Sequence, residues 1–235
     1  MKPLRDVIAG DLHTLFVGIN PSLLSAQRGH HFARPGNRFW PALHLAGFTP
    51  RRLRPDEDAE LLAYGVGVTN LVARPTRAAD ELSRDELRAG AVALAALCGR
   101  YAPRLVACVG LGAYRSAFAR PRARIGLQDE RVGGRRVWLL PNPSGLNANH
   151  QLPDLARLYG EARAYAGRAN PPVPGWGDGA RGTGRRMTFA ETQPNDADAA
   201  GAENEDSEAA DKLPAAPDDD DSDMGDTDQH SSSDS

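Results

Sequence analysis

Short apolar runs alternate with longer stretches of helical periodicity over residues 1–168. Four of the runs are continuous enough to predict strands buried on both faces, namely 14–19, 66–72, 105–109 and 136–140. Apolar residues spaced three and four apart predict five helices, at 38–47, 57–64, 84–99, 111–119 and 152–166. The alternation predicts an α/β fold with three layers, α/β/α, around a central, mostly parallel sheet of four or five strands.

The chain divides into three regions of different composition. Residues 1–168 carry the periodic pattern and are long enough to form one compact domain with a sizeable core. Residues 169–190 are rich in Pro, Gly and Arg, which predicts a linker. Residues 191–235 consist mainly of Asp, Glu, Ala, Ser and Pro, and such a segment cannot bury enough apolar surface to order itself. We therefore expect a disordered acidic tail.

The charges follow the same division. The chain carries 28 basic and 31 acidic residues, a net charge of −3. Residues 1–190 hold 27 basic and 15 acidic side chains, whereas residues 191–235 hold one basic and 16 acidic ones. A basic body joined to an acidic tail indicates a polyanionic partner or a basic surface that the chain itself masks.

Several classes of protein are excluded by simple counts. The first residues lack the apolar segment of a signal peptide, and the longest apolar run, 89–98, is half of a membrane span. Two cysteines, Cys98 and Cys108, cannot form a disulfide framework or a four-cysteine metal site. We expect a cytoplasmic protein with no membrane partner, nucleoid-associated if bacterial.

Two loops at strand ends share the pair Asn-Pro. The first is Gly18-Ile19-Asn20-Pro21-Ser22 after the first predicted strand, and the second begins Pro141-Asn142-Pro143-Ser144 after the last. Parallel strands bring such loops to one edge of the sheet, where ligands bind in α/β folds. Proline also keeps the preceding residue extended, so each asparagine is presented outside a helix. The alternative is that Asn-Pro is only turn chemistry, and a match in two loops makes that less attractive.

Other motifs do not complete a site. His30 and His31 have no partner at metal-ligand spacing, which excludes a zinc deaminase. The segment Gly110-Leu111-Gly112 lacks the third glycine of a dinucleotide fingerprint, and Ser144 lacks the setting of an esterase nucleophile. A nucleotide-binding or ester-hydrolysing α/β protein would therefore lack both its phosphate loop and its nucleophile.

The two loops, in order with the segments between them, resemble the mismatch-specific uracil-DNA and thymine-DNA glycosylase family. The resemblance runs from about residue 12 to 165. Its motifs are the first loop, Phe32, Asn37-Arg38-Phe39-Trp40, Gly67-Val68-Thr69, Arg74-Pro75-Thr76 and Asn142-Pro143-Ser144-Gly145-Leu146. It implies a uracil-DNA glycosylase-like fold and a monofunctional enzyme that flips a mispaired base and hydrolyses its N-glycosidic bond, leaving an abasic site.

The resemblance also implies a role for each matching residue. Asn20 and Asn142 are the implied catalytic residues, Asn20 positioning the attacking water and Asn142 assisting the departing base or a phosphate. An amide is not a strong base, so the mechanism should be dissociative and turnover slow. The implied base pocket consists of Gly18, Ile19, Ser22, Ser25 and Phe32. The implied DNA wedge and contacts to the opposing base come from Gly145, Leu146 and Asn147.

The implied partner is double-stranded DNA with a G·U mismatch, with ethenocytosine and thymine as further substrates. We expect a monomer that needs no metal or organic cofactor and passes its abasic product to downstream repair enzymes. Three positions depart from the family pattern, since Ser22 replaces a usual glycine, Asn70 a lysine and Ala148 an arginine. A catalytically weak or inactive module that binds DNA damage is therefore a second possible function.

Overall fold

The structure, a computed structural model, describes residues 4–168 of the 235. The predicted linker at 169–190 and acidic tail at 191–235 lie outside the described residues. The strands are β1 (Thr14–Gly18), β2 (Val66–Asn70), β3 (Leu105–Val109), β4 (Gly126–Val132) and β5 (Arg135–Leu140). The α-helices are α1 (Leu23–Arg28), α2 (Phe39–Leu45), α3 (Arg84–Tyr101), α4 (Leu111–Ala117) and α5 (Leu152–Arg168).

The five strands form one sheet in the order β2-β1-β3-β5-β4. The first four of these are parallel, and β4 pairs antiparallel with β5 at the edge. The predicted α/β class and the mostly parallel sheet are confirmed. Because β1, β2, β3 and β5 point the same way, the loops that follow them open at one edge of the sheet.

Helices cover both faces of the sheet. On one face α2 and α5 pack together, and Phe16 of β1 meets Phe39 and Tyr159 there with ring centroids 5.4 and 5.5 Å away. On the other face α3 and α4 cover Leu15, Val17 and their neighbours in a second buried cluster. The side chains of β1 alternate between the two clusters, so this strand is buried on both sides.

The structure differs from the sequence prediction in three elements. The pattern predicts neither α1, which is too short for helical periodicity, nor β4, whose sequence GLQDERV is mostly polar. The predicted helix at 57–64 is instead a 3-10 helix spanning Pro55–Tyr64. A capping box begins α3, since Ser83 Oγ accepts from the Glu86 amide at 3.1 Å and the Glu86 carboxylate accepts from the Ser83 amide at 2.9 Å.

Candidate active site

A pocket opens at the carboxyl edge of the sheet, with a volume of about 120 Å³. This is several times the ~15 Å³ that a single water molecule needs. Four of its residues, Asn20, Asn70, Val109 and Asn142, come from the ends of β1, β2, β3 and β5 or from the loops that follow them. Among residues 4–168, no aspartate or glutamate lines it. We call this cavity the edge pocket.

The amide of Asn20 has a defined orientation. Its Nδ2 donates to the carbonyl oxygen of Arg74 at 2.9 Å and to Oγ1 of Thr76 at 2.7 Å. A carbonyl oxygen can only accept, so the nitrogen must face Arg74. The hydroxyl of Thr76 donates its own hydrogen to the carbonyl of Ala78, at 2.7 Å, so its oxygen accepts from Asn20. Within the described residues Oδ1 of Asn20 has no partner, which leaves it as an acceptor at the pocket.

Asn142 is held through the oxygen of its amide, whereas Asn20 is held through the nitrogen. Its Oδ1 accepts from the backbone N–H of Ser144 at 3.0 Å, which fixes oxygen and nitrogen in place. The Nδ2 group has no partner within residues 4–168 and is left as a donor, and Asn142 also lines the edge pocket. The two Asn-Pro loops thus give the pocket one amide acceptor and one amide donor.

Phe32 supplies an aromatic wall. Its ring stacks on Phe39 with centroids 4.0 Å apart and planes 20° from parallel. Its φ of +52° lies in the left-handed region, which costs a residue with a side chain of order 1 kcal/mol or more. Such strain persists only where the surroundings hold it, and it concentrates at functional sites.

Hydrogen bonds hold both sides of that strained residue. The N–H of His31 donates to Oδ2 of buried Asp58 at 3.2 Å, and the N–H of Ala33 donates to Oγ of Ser25 at 3.1 Å. Arg28 donates to the carbonyl of Ala33 at 3.2 Å. Ser25 is therefore a buried support for the aromatic wall as well as a lining residue of the pocket.

Ser22, Ile19 and Gly18 take different places. Ser22 caps α1, since its Oγ accepts from the Ser25 N–H at 3.1 Å, and this cap accounts for a serine at that position. Ser22 and Ile19 line the edge pocket, whereas Gly18 lies behind it. A Cβ at Gly18 would come within 2.5 Å of Asn70 Oδ1 and 3.4 Å of Phe32 Cζ.

The loop between β5 and α5, residues 141–151, presents Leu146 to solvent. That side chain is 76% exposed, the most of any large apolar side chain in the described residues. Gly145 packs on Gly36, whose carbonyl oxygen would lie 2.7 Å from an added Cβ. The Asn147 amide is used inside the loop, donating to Asn142 O at 2.9 Å and accepting from the Asn149 N–H at 3.1 Å.

Asn70 and His31 are pocket residues that the sequence patterns do not single out as such. Nε2 of His31 donates to the carbonyl of Arg5 at 2.9 Å, so Nδ1 is the acceptor of a neutral ring. Nδ2 of Asn70 lies 3.5 Å from that Nδ1, and its Oδ1 lies beside Gly18. Burial lowers the pKa of His31. The hydrogen bond to Arg5 and the charge of Asp58 raise it, but the net effect is a lowered pKa. The ring is therefore neutral at pH 7.

Metal and membrane features are missing from residues 4–168. No three His, Cys, Asp or Glu side chains in this part of the chain are grouped as a metal site. None of its helices is both long and apolar enough to cross a bilayer.

Comparisons with known proteins agree with this architecture. A model of the Uracil DNA glycosylase superfamily matches residues 6–164. The chain is also similar to a solution NMR structure from Methanosarcina acetivorans, provisionally named as a uracil DNA glycosylase. The match has a TM-score of 0.50 and 18% identity over 69% of this chain and 96% of that one, and it shows a shared fold.

Proposed function

The chain belongs to the uracil DNA glycosylase superfamily, and we propose that it is a monofunctional, mismatch-specific glycosylase. It flips uracil mispaired with guanine out of double-stranded DNA, hydrolyses the N-glycosidic bond and leaves an abasic site. Ethenocytosine and thymine opposite guanine are its further substrates. The observation that carries this proposal is the pair of oppositely oriented amides, Asn20 and Asn142, beside a stacking ring.

Each of the two amides suits one half of the reaction. Oδ1 of Asn20, left as an acceptor by its bonds to Arg74 and Thr76, can hold and orient a water molecule. Nδ2 of Asn142, left as a donor, can stabilise negative charge on the departing base or a phosphate. An amide oxygen is too weak a base to remove a proton early, so water attacks only after the sugar has become oxocarbenium-like.

The lining of the edge pocket supports the same dissociative order of events. In the part of the chain that the structure describes, this lining holds no carboxylate that could act as a strong base or a nucleophile. Catalysis then rests on positioning and on the donor aimed at the leaving base, and turnover is slow. The only lysines of the chain are Lys2 and Lys212, and no lysine is among the described residues that line the pocket; we therefore propose hydrolysis without a lyase step.

Asn70 supports selection of uracil and thymine over cytosine; ethenocytosine, whose N3 carries the etheno bridge, cannot make the bond described next and would be held by stacking on Phe32 alone. His31 accepts at Nδ1, so the favoured orientation of Asn70 turns Nδ2 to His31 and leaves Oδ1 as an acceptor next to Phe32. A base stacked on Phe32 meets this acceptor with its edge. Uracil and thymine present N3–H as a donor, whereas cytosine presents a lone pair there and is rejected.

The surroundings of the pocket support entry from a duplex. Leu146, exposed at the tip of the 141–151 loop, can fill the space that the flipped base leaves. Arg34 and Arg77 line the pocket and are exposed, so they can meet the phosphates on either side of the flipped nucleotide.

Single-turnover cleavage of a labelled duplex with one G·U pair tests this function. A·U, G·T, G·ethenocytosine and single-stranded uracil are run in parallel with wild type, Asn20→Ala and Asn142→Ala. We expect excision from G·U that falls at least about 10²-fold in each variant, while binding to the mismatched duplex is kept. Tight binding by wild type with no excision from any substrate would leave the damage-binding module as the function.

A further inference from the structure

The loop that carries Leu146 has little backbone support of its own. Regular structure ends at Leu140 and resumes at Leu152, so the 141–151 loop is held by turns and side chains. Five of its residues, Gly145, Leu146, Ala148, Asn149 and Gln151, are exposed. A side chain that enters the base stack must keep its position while the bases separate. If the loop were mobile, the loop would be displaced and the bases would stay stacked. Its rigidity therefore needs a source outside the loop.

That source is the guanidinium of Arg38, which directly precedes α2. One terminal nitrogen donates to the carbonyl of His150 at 2.8 Å and to Oε1 of Gln151 at 3.3 Å. The other donates to the carbonyls of Asn147, at 2.8 Å, and Ser144. The four protons of these two nitrogens thus have four acceptors, all in the 141–151 loop. The Arg38 backbone N–H adds a bond to the carbonyl of Pro143 at 2.9 Å.

We propose that Arg38 is the positioning residue that fixes the Leu146 wedge relative to the base pocket. The planar guanidinium spans acceptors on both sides of the loop tip, from Ser144 to Gln151. The ammonium of lysine is a point donor and cannot span them. Arg38 also lies between Asn37, which lines the pocket, and Phe39, on which Phe32 stacks. One short segment therefore sets the distance between the stacking wall and the wedge.

The effect on the loop can be measured without reference to catalysis. In hydrogen–deuterium exchange of the full chain, Arg38→Lys should speed exchange of the loop amides 144–149 about tenfold, because charge-assisted bonds to the loop are lost. Amides of α3 and β3 should be unchanged. Gln151→Ala removes one acceptor of Arg38 together with the bond from Gln151 Nε2 to the Ala148 carbonyl, and it should raise loop exchange about twofold. Arg157→Lys makes the same chemical change on exposed α5 and should leave the loop unaffected.

The effect on function rests on the proposed glycosylase activity and is tested by a double-mutant cycle. Excision from G·U is measured for wild type, Arg38→Lys, Leu146→Ala and the double variant. If Arg38 acts through the wedge, the double variant is no slower than Leu146→Ala.

The outcomes separate the two proposals. Additive losses in the cycle, or faster exchange throughout the protein in Arg38→Lys, would show a general structural role and overturn the positioning proposal. Unchanged loop exchange would also overturn it. Absence of excision by wild type would refute the proposed function, while the exchange measurement would still decide whether Arg38 fixes the loop.

Discussion

Gly18→Ala probes how closely the edge pocket depends on the placement of Asn70. Gly18 ends β1 behind the pocket, and an added Cβ would lie 2.5 Å from Oδ1 of Asn70. Ordinary van der Waals contact begins near 3.4 Å, so the two atoms must separate by about 0.9 Å. The backbone of Gly18 is fixed by pairing to β2 on one side, and Asn70 is its partner in the register. The side chain of Asn70 must therefore move.

Gly18→Ala should lower the rate of excision strongly and lower the stability of the fold only slightly. A displacement of about 1 Å in a group that positions the substrate can cost about 10²-fold in rate. Overpacking by one methyl group costs ~1–3 kcal/mol of stability, and less here because the neighbour is one amide side chain at the pocket. We therefore expect kcat/KM on G·U to fall about 10²-fold in a protein that remains folded.

The assay is single-turnover excision from the G·U duplex, with thermal unfolding to confirm folding. Gly112→Ala in α4 is the matched control, because nothing lies within 4 Å of a Cβ at that position. The double variant Gly18→Ala/Asn70→Ala should be no slower than Asn70→Ala alone, since the clash is removed with the amide. A double variant slower than Asn70→Ala by a further factor near 10² would refute the reasoning.

Four further predictions test other parts of the molecule. Leu146→Ala should slow excision from duplex G·U about 10- to 100-fold, because burying one leucine contributes ~1.5–3 kcal/mol; the similarly exposed Val92→Ala is the control. Ser22→Ala should cost ~1 kcal/mol in chemical denaturation because α1 loses its cap, and Ser22→Gly only a few tenths. Burial lowers the pKa of His13 to about 4. As the pH falls, the unfolded chain therefore binds this proton before the folded chain does, and ~3 kcal/mol of the free energy of unfolding is lost between pH 6.5 and 4. In His13→Gln, the free energy of unfolding measured between pH 6.5 and 4 should depend much less on pH. Removing residues 191–235, which hold 16 acidic residues and one basic residue, should tighten DNA binding and steepen its salt dependence; unchanged affinity and slope would refute a masking role.

Much of the fold follows from local pattern. The strand at 105–109 coincides with β3, and the starts of β1, β2, α3 and α5 are predicted to the residue. These elements are buried on both faces or strongly amphipathic, so the pattern is dense enough to define them. The pattern does not predict β4 because it is an edge strand in which three charged residues, 129–131, separate the buried Gln128 and Val132, and its register shifts between Leu127 and Arg131.

The candidate site was predictable only where a motif supplied the residue. Asn20, Asn142 and Phe32 follow from their loops, and the structure places all three at the pocket. The motif at 37–40 contains Arg38 but does not indicate its role, because Arg38 and His31 act through backbone carbonyls more than 20 positions away in sequence, at 144–150 and at Arg5. The role of a side chain whose partners are backbone atoms cannot be inferred from local pattern, because a carbonyl has the same chemistry at every residue.

The three amides of the edge pocket show where the selectivity of such a site lies. Rotating an asparagine amide by 180° exchanges its acceptor and its donor while hardly changing its shape. The presence of an asparagine therefore does not determine whether an acceptor or a donor faces the pocket. Asn20 presents oxygen because Arg74 and Thr76 take its nitrogen, and Asn142 presents nitrogen because Ser144 takes its oxygen. Asn70 depends in the same way on the tautomer of His31. The chemistry that the pocket can perform is therefore set by the partners of its amides, and substitutions at those partners should change selectivity while every asparagine remains in place.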